Sequence, residues 1–384
     1  MTETKSGDNE SCLPLPLTLS LSLWELWNVD KKEKLRKFRQ TALIACLFIG
    51  MLLLMQKNIP STVSIVFFSV ALVLVIWNSI GTFYYSKAAK LLQKRSKENY
   101  EKAIPYLEKA VKWGVNENGQ LSAGTLMIQY GDMEKGKEIL EALTKGSKMK
   151  EEAKISLSMY YWVKKDLDKA IELCLEAREK GKKDKNLYVN LCTYYMEKGD
   201  LKEYRKYTKE CNDLSLATPA TLDLEASFYM MAGDWKKAGE HLKSIFDKTV
   251  PGYKDPYIHQ AMVLLHYGDW EGAVKNLRAI STNTVDSNIS VYTQKEIEEI
   301  IDLIIDENTR WGMLEIVDKA PETFIKGQMP QPRKGLEKPE TPALPSFVEE
   351  SVGPMATEIQ DEDSQDIDTS LNDDDEEWLK RHQD

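Results

Sequence analysis

The chain has 384 residues, 29% charged and 42% hydrophobic, with 51 basic against 61 acidic side chains and a net charge of −10. That length allows about two domains or one extended array, and the acidic balance gives no nucleic-acid footprint. Five cysteines, at 12, 46, 174, 192 and 211, show no CxxC spacing; Cys46 falls in an apolar run, and Cys174, Cys192 and Cys211 read as small buried hydrophobes rather than metal or redox ligands.

Residues 1–40 open with "LPLPLTLSLSLWELW" (Leu13–Trp27), where leucine recurs at every second position from 13 to 23. Pro14 and Pro16 oppose a strand, and no basic start precedes an apolar run as in a signal peptide. A disordered or membrane-surface segment is expected, basic at its end, with Trp24 and Trp27 touching lipid.

Residues 41–86 hold two apolar runs, Thr41–Met55 and Thr62–Tyr85, around a turn with Asn58 and Pro60. The second is long enough for a bilayer core of about 30 Å. The first is short, and spans only if Phe38 is drawn in and Arg39 and Lys57 snorkel. A transmembrane helical hairpin is expected, with a soluble core helix as the alternative for the first run. Lys31, Lys32, Lys34, Arg36, Lys37 and Arg39 precede it, Lys87, Lys90, Lys94, Arg95 and Lys97 come after it, and the turn has only Lys57. Positive residues favour the cytoplasmic side, so both termini are expected there, with Trp77, Tyr84 and Tyr85 at the headgroups of the cell membrane.

From 87 to 290 one heptad recurs: "YGDMEKG", "KKDLDKA", "KGDLKEY", "AGDWKKA" and "YGDWEGA", centred on Gly131, Lys165, Gly199, Gly233 and Gly268. The intervals are 34, 34, 34 and 35 residues. Gly can take the left-handed conformation that ends one helix, and the next Asp (132, 166, 200, 234 or 269) can cap another. A large apolar residue comes next (Met133, Leu167, Leu201, Trp235, Trp270), then a small one three positions on (Gly136, Ala170, Ala238, Ala273). Tyr204 breaks the small position and Lys165 the glycine, so those two turns are expected to be distorted. Thr218-Pro219 and Asp255-Pro256 each place a capping side chain before a first-turn proline. "ENYEKAIPYLEKAVKWG" (Glu98–Gly114), with Ala103 at the small position and Pro105 inside the helix, reads as an irregular first repeat.

This pattern resembles the tetratricopeptide repeat family, in the form of a membrane-anchored protein of bacterial type. The resemblance covers about half the chain and implies a tetratricopeptide α-solenoid of about five full repeats. With the apolar runs before it and the acidic segment after it, the expected fold is all-α: a two-helix transmembrane hairpin, that solenoid, and a disordered acidic tail. The resemblance also implies a concave groove lined from the first helix of each repeat. The positions carried over are Leu121, Thr125, Ile128, Ile155, Met159, Trp162, Val189, Thr193 and Met196, then Ser227, Met230, Met231, Ile258, Met262 and Leu265. Such an apolar, methionine-rich face suits a protein or peptide partner. The alternative is that it packs between repeats or is covered by another part of the chain. Asn186 and Asn190 occur without the lysines of a carboxylate clamp, which disfavours a receptor for chaperone tails.

Residues 291–320 hold a helix with Ile297, Ile300, Ile301, Ile304 and Ile305 on one stripe, expected to cap the last repeat. Residues 321–384, with 17 acidic against 6 basic side chains, cannot bury enough surface to fold alone and are expected to be a disordered tail. Two short apolar islands lie in it, Leu344–Val348 and Glu376–His382, and a solvated tail is favoured over one that guards the groove.

His241, His259, His266 and His382 show no ligand spacing and read as surface or groove histidines. No phosphate-cradling loop or nucleophile motif is visible, so no enzyme activity, cofactor, metal or small-molecule substrate is expected. A membrane-anchored scaffold is the expectation. Its alternative is an accessory or regulatory subunit of a membrane enzyme or transporter, with Asn78 and Gly81 packing laterally.

Overall fold

The computed structural model describes residues 38–53, 55, 61–94, 96–307, 309–312 and 342–343, and every regular element among them is α-helical. Expectations for the leucine-alternating segment, the basic run 31–37, the turn 56–60 and the acidic tail (Pro342 and Ala343 apart) lie outside the described residues. The chain forms two compact units. One runs up to Tyr85 and takes in Lys109–Asn116; the other holds Ser86–Glu108 and the chain from Glu117 onward.

The first unit is built on α1 (Phe38–Leu53) and α2 (Ser61–Leu92). These two pack antiparallel: Gly50 meets Phe67 and Phe68, while Arg39 lies over the Trp77 ring at 5.2 Å. Ile44, Phe48, Met51, Ile65, Val66, Leu72 and Val73 are exposed along both helices. The stretch Ile65–Leu92 is long and apolar enough to cross a membrane; α1 is apolar but shorter. Gly81 is a close approach inside the unit, because a Cβ there would lie 2.7 Å from the Val115 nitrogen and 3.1 Å from the Ala110 carbonyl oxygen. The one small residue expected to serve lateral packing is thus filled by the chain itself.

The second unit continues from α3 (Lys97–Lys112) into five antiparallel helix pairs. They are α4 (Glu117–Tyr130) with α5 (Met133–Thr144), α6 (Lys150–Val163) with α7 (Leu167–Glu179), and α8 (Lys185–Lys198) with α9 (Leu201–Asp213). Then come α10 (Pro219–Met231) with α11 (Trp235–Lys248), and α12 (Asp255–His266) with α13 (Trp270–Asn283). All five repeat aspartates cap as expected: Asp132, Asp166, Asp200, Asp234 and Asp269 each accept from a first-turn amide of the next helix. Gly136 lets α5 close on α4, since a Cβ there would meet the Gly124 carbonyl at 2.8 Å.

The turn at Lys165 departs from expectation. It is not distorted: Lys165 adopts φ 64° and makes the same pair of bonds as the glycines, with its amide to the Trp162 carbonyl and the Asp166 amide to that of Tyr161, both 2.9 Å. Left-handed strain in a non-glycine residue is the cost. Tyr204 is also accommodated, fully buried and stacked on Phe228 at 5.7 Å. The irregular turn is instead the first, where Gly131 is not left-handed. Asp255 does not cap either; α12 starts at Asp255 itself, with Lys254 before it and no side-chain cap.

Ion pairs about one period apart bridge successive repeats, including Lys135–Glu108 (2.8 Å), Lys164–Glu134 (3.2 Å), Lys198–Asp168 (2.6 Å) and Arg178–Glu210 (2.7 Å). Beyond the last pair, α14 (Gln294–Ile305) opens with a Thr293–Glu296 capping box. It buries Ile297, Ile300, Ile301 and Ile304 in the same core as α13 and leaves Ile305 exposed.

Candidate partner-binding groove

The first helix of each pair packs on the first helix of the next, α4 on α6, α6 on α8, α8 on α10 and α10 on α12. The fifteen positions from Leu121 to Leu265 therefore sit on consecutive neighbouring helices. They differ in access. Ile128, Ile155, Met196, Ser227, Met230, Ile258, Met262 and Leu265 are buried. Leu121, Thr125, Met159, Trp162, Val189, Thr193 and Met231 are half-buried. Access thus concentrates on α4, α6 and α8.

Polar groups along these helices are largely engaged. Thr125 and Thr193 donate to the carbonyls of Leu121 and Val189 one turn back, at 2.9 and 2.8 Å. Trp162 donates its indole N–H to Glu197 and lies 6.0 Å from the Tyr194 ring. Asn190, the partial match to a carboxylate clamp, donates to the Ile155 carbonyl at 3.0 Å and to Ser158 at 3.2 Å. It acts as a helix-to-helix tie.

A loop between α13 and α14 reaches back to the first repeat. Its β-turn, closed by the Ser290 amide on the Ser287 carbonyl at 3.0 Å, presents Asn288. The Asn288 amide N–H donates to the Gln129 carbonyl at 2.6 Å, and its Nδ2 to those of Ile128 and Gly131, both at 3.0 Å. These are end-of-helix carbonyls of α4, which otherwise lack intrahelical donors. The other end of the loop is held by buried Lys254, which donates to Asp286 and to the Tyr292 carbonyl at 2.6 Å. The loop thus closes the C-terminal end of α4, while Leu121 and Thr125 on the same helix stay half-buried.

Two buried polar clusters lie among α9 to α12. His241 and His259 are both buried, so neither is a surface histidine; His266 stacks on Trp235 at 4.4 Å. Burial disfavours the His259 imidazolium, but the Asp223 carboxylate 2.8 Å from Nδ1 outweighs it and raises the pKa. Ser227 completes a serine–histidine–aspartate set that no sequence motif announced. The one available signal was spacing: Asp223 and Ser227 lie 36 and 32 residues before His259, about one repeat. The set is unsuited to nucleophilic catalysis. Ser227 Oγ is 3.3 and 3.4 Å from the two ring nitrogens, an edge contact, and it donates to the Asp223 carbonyl at 3.0 Å while fully buried. In the second cluster Glu225 Oε2 lies 3.4 Å from His241 Nδ1. Burial pushes Glu225 up to about 7 despite Arg205 and Asn212, and burial with Arg205 pulls His241 down to about 4. Cys174, Cys192 and Cys211 are free and buried, and no metal-holding group occurs among the described residues.

No family model and no curated protein matches the chain. Among solved structures, the fold is similar to a tetratricopeptide repeat protein from Parabacteroides merdae, at 13% identity and a TM-score of 0.48, over 69% of this chain and all of that one. The reading of a tetratricopeptide-like solenoid stands on the five capped helix pairs themselves.

Proposed function

We propose that this chain is a membrane-anchored scaffold that gathers partner proteins on the inner face of its repeats. In this reading α1 and α2 cross the cell membrane as a hairpin, with both termini and the repeats in the cytoplasm. The observation that carries the partner-binding part is the half-buried strip of Leu121, Thr125, Met159, Trp162, Val189 and Thr193, which leaves apolar and methionine contact surface in reach. Such a strip suits an amphipathic helix or an extended peptide. The subunit reading is less favoured, because Gly81 is occupied by Ala110–Val115 of the same chain.

A photo-crosslinking residue at Met159 in the full chain, expressed in its own cell, tests the reading. Discrete protein adducts are expected from Met159, and far fewer from exposed Lys209 on α9. Equal adducts at both sites would remove the groove from the reading. Protease added to spheroplasts is expected to leave the repeats whole; their digestion would reverse the topology.

A further inference from the structure

The two helical stretches of the hairpin unit have an unusual charge balance. From residue 38 to 85, and from 109 to 116, the sequence has no Asp or Glu, yet it carries Arg39, Lys57, Lys109 and Lys112. Arg39 keeps only 8% of its surface exposed, and its Nε is buried without a hydrogen-bond partner. The Nδ2 of Asn78, next to the Trp77 on which Arg39 lies, is likewise buried and unpartnered. Arg39 Nε and Asn78 Nδ2, at one level of a helical pair, thus offer two donors with no acceptor among the described residues. Buried polar groups of this kind are nearly always satisfied, so an external acceptor is implied.

The surroundings say which acceptor. On one side of the Arg39–Trp77 level, α1 and α2 expose Ile44, Phe48, Ile65, Val73 and Ile76. On the other side Gly81 is packed against the backbone of Ala110–Val115, and the Lys109 ammonium lies 5.7 Å over the Tyr84 ring. A tryptophan, a tyrosine and two cations at the edge of an apolar surface mark a headgroup level. A guanidinium fork fits a phosphodiester, and the apolar walls fit the acyl chains attached to it. With no Asp or Glu in 38–85 or 109–116 to receive a headgroup ammonium, an anionic headgroup is preferred to a zwitterionic one.

We propose that Arg39 and Asn78 seat the phosphate of an anionic phospholipid at the headgroup level of the α1–α2 hairpin. This rests on the membrane-anchoring part of the function proposed above.

Native mass spectrometry of the full chain in detergent, with equal dioleoylphosphatidylglycerol and dioleoylphosphatidylcholine added, tests it. The natural chain is expected to retain phosphatidylglycerol about fivefold over phosphatidylcholine, as one interfacial cation supports. Arg39→Gln is expected to bring that ratio close to one, Arg39→Lys to keep part of it, and Lys112→Ala to leave it unchanged. Asn78→Leu is a second route should Arg39→Gln not fold, and a smaller loss of preference is expected from it. Equal ratios for the natural chain and both Arg39→Gln and Asn78→Leu would overturn the site. Loss of the lipid to inorganic phosphate at about 50 mM, a strong but diffusing competitor, would mean a free-anion site and would overturn the lipid assignment. Flotation with phosphatidylglycerol vesicles separates the two levels. A natural chain that fails to float removes the membrane reading and this site with it, whereas one that floats with an unchanged Arg39→Gln ratio loses this site alone.

Discussion

Asn288 and Gly131 lie 157 residues apart in sequence, yet the Asn288 side-chain amide donates to the Gly131 carbonyl at 3.0 Å. In the four later repeats the residue at Gly131's place turns left-handed and closes the end of its own helix. In the first repeat that task passes to Asn288, and Gly131 is released from it. Asn288→Ala is therefore expected to destabilise the fold by about 1–2 kcal/mol, the loss of two side-chain bonds to helix-end carbonyls. Amides after the end of α4 and around the Ser287–Ser290 turn should exchange faster, with α8 to α11 unchanged. Unaltered exchange at both places would show that the clasp carries no free energy.

The turns yield two substitutions of opposite sign. Lys165 sits at φ 64°, so Lys165→Gly relieves left-handed strain and should raise stability by about 0.5 kcal/mol after glycine's extra chain entropy. Asp234 accepts the Lys237 amide at 3.0 Å, and Asp234→Ala should cost about 1 kcal/mol. Chemical denaturation of the three chains side by side checks both. A Lys165→Gly midpoint below that of the natural chain would contradict the strain.

Glu225 and His241 make a pH prediction in which two slopes oppose. Glu225 has a folded pKa of about 7 against 4.5, so its contribution is present below 4.5 and is lost as pH rises through 7. His241 has a folded pKa of about 4 against 6.5, so its contribution is present above 6.5 and is lost as pH falls through 4. Between about 4.5 and 6.5 the two nearly cancel, because folding moves one proton from histidine to glutamate without changing the total. Glu225→Gln should expose the histidine slope, with stability falling as pH drops below 6.5, and should stabilise the protein by about 2 kcal/mol at pH 8. His241→Phe should expose the opposite slope. Melting temperatures from pH 4 to 8 that run parallel in all three chains would refute this.

Gly81 is a packing prediction for the hairpin unit. A Cβ at 81 would lie 2.7 Å from the Val115 nitrogen, a backbone atom with no flexible end to yield. Gly81→Ala should cost about 1–3 kcal/mol through overpacking. Limited proteolysis in detergent should then cut between 109 and 116 sooner than in the natural chain, while equal cutting rates would place the contact outside the energetics.

The solenoid was readable because its signals are local. A capping aspartate and a left-handed residue lie within a few positions of each other, and five copies in phase reinforce one another. Lys165 misled because its side chain predicts strain but not whether neighbouring bonds overcome it. The groove was less readable. Burial of Ile128, Ser227 and Met262 depends on neighbours a full repeat or more away, and Asn288 lies in a non-repeating loop with no periodic signal. Asp223 and His259 could have been paired from their one-period spacing, since such positions on first helices become neighbours. Gly81 looked like a site for another helix because a glycine shows only that something comes close, not what.

A linear array of repeats normally has two ends, and each can peel away without disturbing the middle, since every unit touches only its neighbours. Asn288 removes that freedom from the repeats it joins. With the last repeat's loop fastened to the first helix pair, neither terminal pair can open without breaking a bond to the opposite one. Melting then resembles the failure of a hoop rather than the fraying of a rope: it is delayed, and when it comes it involves every repeat at once. A partner that pries Asn288 from Gly131 would turn the hoop back into a rope, giving the repeats the independent give of a spring.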